Sequence, residues 1–128
     1  MISAIDTSIL IDLIQKEEKA IQLLANAAQE GKLIICEIVY SELCAGMTQQ
    51  MIDQFLKDYI IEFFPTDKKA LALAGQLWRE HILNQGRGGH VIADFLIGAH
   101  AKIHADRLLS SDRGFYRRYF KEFVVVGY

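Results

Sequence analysis

The sequence is poor in the features that announce a specialised architecture: it has two cysteines, one proline and no long uninterrupted apolar run. Cys36 and Cys44 cannot build a disulfide framework, and their one spacing, without a C-x-x-C or a nearby His-x-x-x-His, is no zinc signature. Both are expected as free thiols in a reducing compartment. Asp6 and Asp12 interrupt the first apolar segment, so it does not read as a secretory leader, and nothing else approaches the ~18 apolar residues of a membrane span. A cytoplasmic location with no membrane contact is expected. Excess positive charge is lacking too, since 14 Lys and Arg against 16 Asp and Glu give a formal charge of −2. That balance argues against a protein that coats nucleic acid nonspecifically, which needs many phosphate-neutralising cations. An enzyme that recruits metal with carboxylates and keeps a local basic rim remains compatible with it.

What is present is the raw material of a core. Half of the 128 residues are apolar and the charges are mixed along the chain, enough for residues 1–128 to form one domain that buries roughly two-thirds of its unfolded surface. Ile2 to Ile5 is a short apolar run, followed by Asp6-Thr7-Ser8 and then by Ile9, Leu10, Leu13 and Ile14 at helical spacing, which reads as strand, polar turn, helix. Thr7 or Ser8 can cap that helix. A second helix is expected over Ala20 to Gln29, with Ile21, Leu24 and Ala28 on one face and Gly31 as its stop. Strand then precedes helix again, Leu33 to Cys36 before Ile38 to Ala45. Met51 to Tyr59 reads as helix, Ile60 to Phe64 as a strand ended by Pro65, and Lys68 to Leu83 as an amphipathic helix presenting Leu71, Ala74, Leu77 and Trp78 to the core. A glycine-bearing loop, Asn84 to Gly89, leads into a mostly apolar helix from Val91 to His104. Arg107 to Ser110 and Phe123 to Val126 complete five strand candidates around the Ser111 to Tyr119 segment. Strands alternating with helices imply a three-layer α/β/α sandwich with a central parallel sheet of about five strands.

In such sheets the ligand crevice lies outside the carboxyl ends of the strands. Asp6 directly follows the first strand, and Asp112 follows the Arg107 to Ser110 strand. Glu42 lies about one and a half turns into its helix, flanked by Ile38, Val39 and Leu43, where a buried carboxylate needs a partner. Asp94 sits in the first turn of an apolar helix, where a negative charge is also favourable by about 0.3 to 1 kcal/mol. Were all four to converge, each pair at ~4 Å would repel by roughly 4 kcal/mol at an effective dielectric near 20. Surface ion pairs, worth about 0 to 1 kcal/mol each, do not offset that, so a cation or proton uptake must complete the cluster. Oxygen donors without neighbouring Cys or clustered His select a hard ion such as Mg²⁺ or Mn²⁺ over zinc.

Four segments together carry a family resemblance: Ile5-Asp6-Thr7-Ser8, Ser41-Glu42-Leu43, Asp94 with Leu96-Ile97-Gly98-Ala99-His100-Ala101, and Leu108-Leu109-Ser110-Ser111-Asp112-Arg113-Gly114-Phe115. In order, spacing and total length the chain resembles a PIN domain, and in particular the VapC-type toxins of toxin–antitoxin pairs. The resemblance implies a PIN-like fold and a metal-dependent RNA endonuclease. In it Asp6, Glu42, Asp94 and Asp112 form the catalytic site and hold one or two Mg²⁺ or Mn²⁺ ions, with Thr7 and Ser110 as accessory polar groups. Metal-activated water then leaves 5′-phosphate and 3′-hydroxyl ends. It also implies a small antitoxin partner and a homodimer, for which the apolar surface of the first two helices is available. Two positions depart from the family's common pattern: Cys36 stands where Ser or Thr is frequent, and Gly114 where an acid or amide is frequent.

Arg113, Arg117, Arg118 and Lys121 are candidates for guiding RNA to the acids, and Tyr116 or Tyr119 for stacking on a base. The same segment also reads as a short helix anchored by Phe115, Tyr119 and Phe120. His100 and His104 have helical spacing but no third ligand nearby, which places them as surface or core-edge residues rather than metal ligands. Two other classes compete. A receiver-type signalling domain needs an Asp ending the third strand, where Phe63-Phe64-Pro65 stands, and a Lys ending the fifth, where Gly127-Tyr128 stands. A PIN-like binding or regulatory module that has lost catalysis shares the fold, and retention of all four acids speaks against it.

Overall fold

The computed structural model describes residues 1–85 and 92–128. The expected loop residues 86–89, His90 and the first residue of the expected helix, Val91, lie outside them. The chain runs β1 (Ile2–Ile5), α1 (Thr7–Ile14), α2 (Glu18–Glu30), β2 (Lys32–Ile35), α3 (Glu37–Leu43), α4 (Gln49–Asp58), β3 (Ile61–Phe63), α5 (Lys68–Gln85), α6 (Ile92–His104), β4 (Arg107–Leu109), α7 (Arg113–Tyr119) and β5 (Val124–Val126). All five strands pair in parallel in the order β3-β2-β1-β4-β5. Ala4 stands beside both Ile34 and Leu108. This is the three-layer α/β/α architecture that the alternation of strand and helix predicts. The apolar runs that looked too short for helices are strands covered on both faces, and Ala4, Ile5, Leu33, Ile34, Ile35, Leu108 and Leu109 are all buried.

Strand order reverses at β1: the chain proceeds outward through β2 and β3 on one side, then returns to β4 and β5 on the other. The crevice that such a reversal opens lies past the carboxyl ends of β1 and β4. Asp6 and Ser110 are the residues that follow those two strands.

Several local expectations are corrected. Neither Thr7 nor Ser8 caps α1. The N-cap is Asp6, without a side-chain cap bond, because both hydroxyls are engaged elsewhere. Helix α2 buries Ala20, Leu24 and Ala27, leaving Ile21 at 44% exposed and Ala28 exposed, so small residues rather than the largest ones face the sheet. On α5 the inward face runs through Ala70, Ala74 and His81, and Leu71 is 44% exposed. His100 is a core residue, 1% exposed. Its ring Nε2 faces the Phe64 carbonyl oxygen at 2.7 Å, and burial and the neighbouring His104 hold its pKa below the usual imidazole value. Both cysteines are free thiols, and burial pushes the Cys36 thiol up to about 11.

Between α4 and β3 the chain turns through Ile60, which has a left-handed φ of 54° and is 85% exposed. A β-branched residue there is strained by roughly 1–2 kcal/mol and recovers little by burial. Ile60→Asn is therefore expected to stabilise the protein by about 1 kcal/mol. The check is a higher urea midpoint at an unchanged m-value; an unchanged or lower midpoint refutes the strain.

Candidate functional site

Asp6 is placed by the backbone before its side chain does anything. Its N–H donates to the Leu109 carbonyl at 2.9 Å, extending the β1–β4 ladder by one residue and turning the carboxyl into the crevice. The side chain is 7% exposed and accepts hydrogen bonds at Oδ2 from Ser110 Oγ at 2.6 Å and Ser8 Oγ at 3.2 Å. Ser110 Oγ in turn accepts from the Asp112 N–H at 3.0 Å, and Ser8 Oγ from the Ser111 N–H at 3.3 Å. These bonds lace the turn after β1 to the turn after β4. Gly127 helps hold the second turn, because a Cβ there would meet the Ser110 carbonyl oxygen at 2.1 Å. Only a glycine lets the chain after β5 approach so closely.

The electrostatics of Asp6 are unfavourable in the absence of a cation. Burial raises its pKa, the charge of Glu42 adds to that, and the two serine hydroxyls offset part of it. A carboxylate kept this dry and answered only by neutral donors calls for positive charge.

Glu42, on α3, is exposed, so it is not the buried acid that its apolar neighbours suggested. It is nevertheless fixed, since Thr7 Oγ1 donates to its Oε1 at 2.6 Å, which is where the hydroxyl of the first residue of α1 goes instead of capping. Asp94 is half-buried in the first turn of α6 and Asp112 is exposed at the start of α7.

The charges of the four acids are all felt at one residue. Tyr116 on α7 is 1% exposed; burial drives its phenol pKa far upward, and the charges of Asp6, Asp94, Asp112 and Glu42 all push the same way. Its hydroxyl is thus held protonated, and a ring this buried is no stacking platform. Convergence is not yet ligation: among the described residues no three His, Cys, Asp or Glu side chains stand close enough to hold one ion together. The donor set still suits a hard cation. Mg²⁺ characteristically keeps several waters and takes only one or two protein carboxylates, and every acid brought here offers oxygen alone.

The basic candidates separate. Arg117 donates to the Val125 carbonyl at 3.3 Å and so ties α7 to β5. Arg118 holds its guanidinium carbon 5.4 Å from the Tyr119 ring centroid. Arg113 is half-buried with its stem near Gly127. Of the two departures, Cys36 is the N-cap of α3 with no side-chain cap bond, and at Gly114 a Cβ would meet nothing within 4 Å. Sequence reading missed the central place of Tyr116 and the buried His81. For His81 the signal was its position on the Ala70–Ala74 face of α5.

Residues 4–121 match the PIN domain family. No curated protein sequence matches. Among solved structures, VapBC2 from Rickettsia felis, bound to a DNA fragment from the promoter, aligns with a TM-score of 0.76 and 22% identity, over 99% of this chain and 98% of that one. VapBC-1 from nontypeable Haemophilus influenzae gives 0.75 and 20%, with the same coverage. FitAcB from Neisseria gonorrhoeae gives 0.71 and 21%, over 98% and 96%. At these identities the likeness is one of fold.

Proposed function

Because the chain belongs to the PIN domain family, we propose that it is a metal-dependent endoribonuclease, the toxin of a toxin–antitoxin pair, with residues 1–128 as one nuclease domain. The observation that supports this reading is that four carboxylates from separate parts of the chain all act electrostatically on the buried phenol of Tyr116. Mutual repulsion makes such a concentration of negative charge a cost to the fold by itself.

Asp6 and Asp94 are the direct ligands in this reading, with Glu42 and Asp112 acting through water. When bound, one or two Mg²⁺ or Mn²⁺ ions supply Lewis acidity toward the phosphate and lower the pKa of a coordinated water. Ser110 and Ser8 orient the Asp6 carboxylate by donating to it. Thr7 does the same for Glu42. Tyr116, kept protonated, holds a donor at the floor of the hollow. Arg113 and Arg118 draw the RNA backbone to the acids, whereas Arg117 serves chiefly to hold α7. The products carry 5′-phosphate and 3′-hydroxyl ends, and the setting is the cytoplasm. Among the described residues no helix is long and apolar enough to cross a membrane.

For the partner, the supporting facts are the VapBC and FitAB complexes among structures of this fold and a groove of about 400 Å³ beside Glu42. That groove is lined by Ile11, Ile14, Leu43 and Met47 among others. A small antitoxin laid there would reach the acids, and the exposed Ile21 leaves apolar surface for a homodimer.

Purified, partner-free protein is expected to cut a total RNA pool into discrete fragments with Mg²⁺ or Mn²⁺ and to stop in excess EDTA. End sequencing should find 5′-phosphates. A folded, metal-loaded protein that leaves diverse RNAs intact would shift the reading to a PIN-like binding module.

A further inference from the structure

The structure has a second feature beside the acids, a cleft of about 430 Å³ between α5 and α7, within the range of small-ligand pockets. We infer that this cleft, floored by the His81–Tyr119 pair and edged by Arg118 and Lys121, is a subsite for a nucleotide flanking the scissile phosphate. The inference rests on the ribonuclease reading and deepens it.

Position is the first argument. His81 Nδ1 is hydrogen-bonded to the Tyr119 hydroxyl, and the Phe95 ring centroid lies 5.6 Å from the His81 ring and 5.1 Å from the Tyr119 ring. Phe95 is the residue after Asp94 on α6, so the helix that carries one of the acids also packs against the floor of the cleft. Along α7, Tyr119 is three residues beyond Tyr116, a rise of roughly 4.5 Å. That displacement is about one nucleotide of an RNA strand, given the ~3.4 Å step of a stacked strand.

Chemistry is the second. Arg118 and Lys121 are exposed, and among the described residues neither is ion-paired with a carboxylate. They are the cations that line this cleft, and Arg117 is engaged with Val125. Leu77 offers an apolar wall to the face of a base, and Asn84 a donor and an acceptor to its edge. Glu80 also lines the cleft; its carboxylate repels a phosphate but accepts from a ribose 2′-hydroxyl or an exocyclic amine, which selects how a nucleotide enters. A groove combining cations for the backbone with apolar and amide surfaces for an unstacked base fits single-stranded RNA rather than a duplex.

The test uses Arg118→Ala, Lys121→Ala and the double variant, with Lys57→Ala on the remote helix α4 as control. Each is assayed on pooled RNA at several salt concentrations and, without metal, by anisotropy of a short fluorescein-labelled oligouridylate. KM and the oligonucleotide Kd should rise roughly tenfold per residue, as for a charge-assisted contact. The slope of log affinity against log salt should fall by about 0.7 per cation removed; a merely structural role leaves that slope alone. Asn84→Ala should change the base found next to the cut. Unaltered KM, Kd and salt slope in the double variant overturn the subsite, even where the wild type cuts RNA. Absence of cutting with the expected loss of binding would instead sink the ribonuclease reading and leave the cleft as an RNA contact.

Discussion

Asp6→Asn should lower RNA cleavage by at least about 100-fold and, at the same time, raise the melting temperature of the metal-free protein. The first effect follows from the size of the charge stabilisation involved. A cation at a phosphoryl oxygen supplies several kcal/mol to the transition state, and each ~1.4 kcal/mol is a factor of ten. The second follows from the direction of the Asp6 shift. Burial first, and Glu42 after it, raise the folded pKa above 3.8, so the stability this group contributes is complete below 3.8 and is lost as pH rises through the folded value. Above the folded value the metal-free wild type has lost it. Asparagine keeps an acceptor for Ser110 and carries no charge, so its melting temperature should be higher at pH 7 and should lack that part of the pH dependence. Mg²⁺ or Mn²⁺ should raise the melting temperature of the wild type and not of the variant. A variant that is inactive but less stable than wild type would show Asp6 to be a structural anchor instead of a strained ligand.

The largest expected loss of stability from a single methyl group is at Gly98. A Cβ there would meet Phe120 at 2.2, 2.5 and 2.9 Å, and that ring is 3% exposed and packed beside Tyr116, 6.2 Å between centroids. With nowhere for the ring to go, Gly98→Ala should destabilise by about 1–3 kcal/mol, the usual range for overpacking a core. The ring it displaces neighbours the phenol among the acids, so cleavage should fall as well. Phe120→Leu in the same chain should recover part of both losses. In the double-mutant cycle the two changes should couple by more than about 0.5 kcal/mol, and additive losses would disprove the contact.

The sequence carried the strand–turn positions of Asp6 and Asp112 because two constraints coincide there. Short apolar runs can only be doubly covered strands, and the residue after such a strand has a known address in a parallel sheet. It carried less of what depends on competition between partners. Thr7 had the composition of a cap, but Glu42 offers its hydroxyl a charged acceptor, a contact between residues 35 apart that no local pattern encodes. Glu42 had the context of a buried acid, yet α3 turns it outward. On α5 hydrophobicity favoured Leu71 for the interior, whereas packing put Ala70, Ala74 and His81 there. Tyr116 was read as a surface aromatic because a heptad of basic and aromatic residues gives no sign of which ring points down.

The lacing of Asp6 to Ser110 spans 104 residues of sequence, and the Ser110 N–H is itself held by the Val126 carbonyl at 2.9 Å. At the ~5–20 residues per second of ribosomal synthesis, Asp6 emerges several seconds before the serine that orients it. For most of that interval β1 lacks its β4 neighbour, and Asp94 and Asp112 do not yet exist. A nascent chain that has not reached Ser110 therefore has no oriented Asp6 carboxylate. The hollow between the two turns assembles late, only once Ser110 and the strand pairing that holds it have been made.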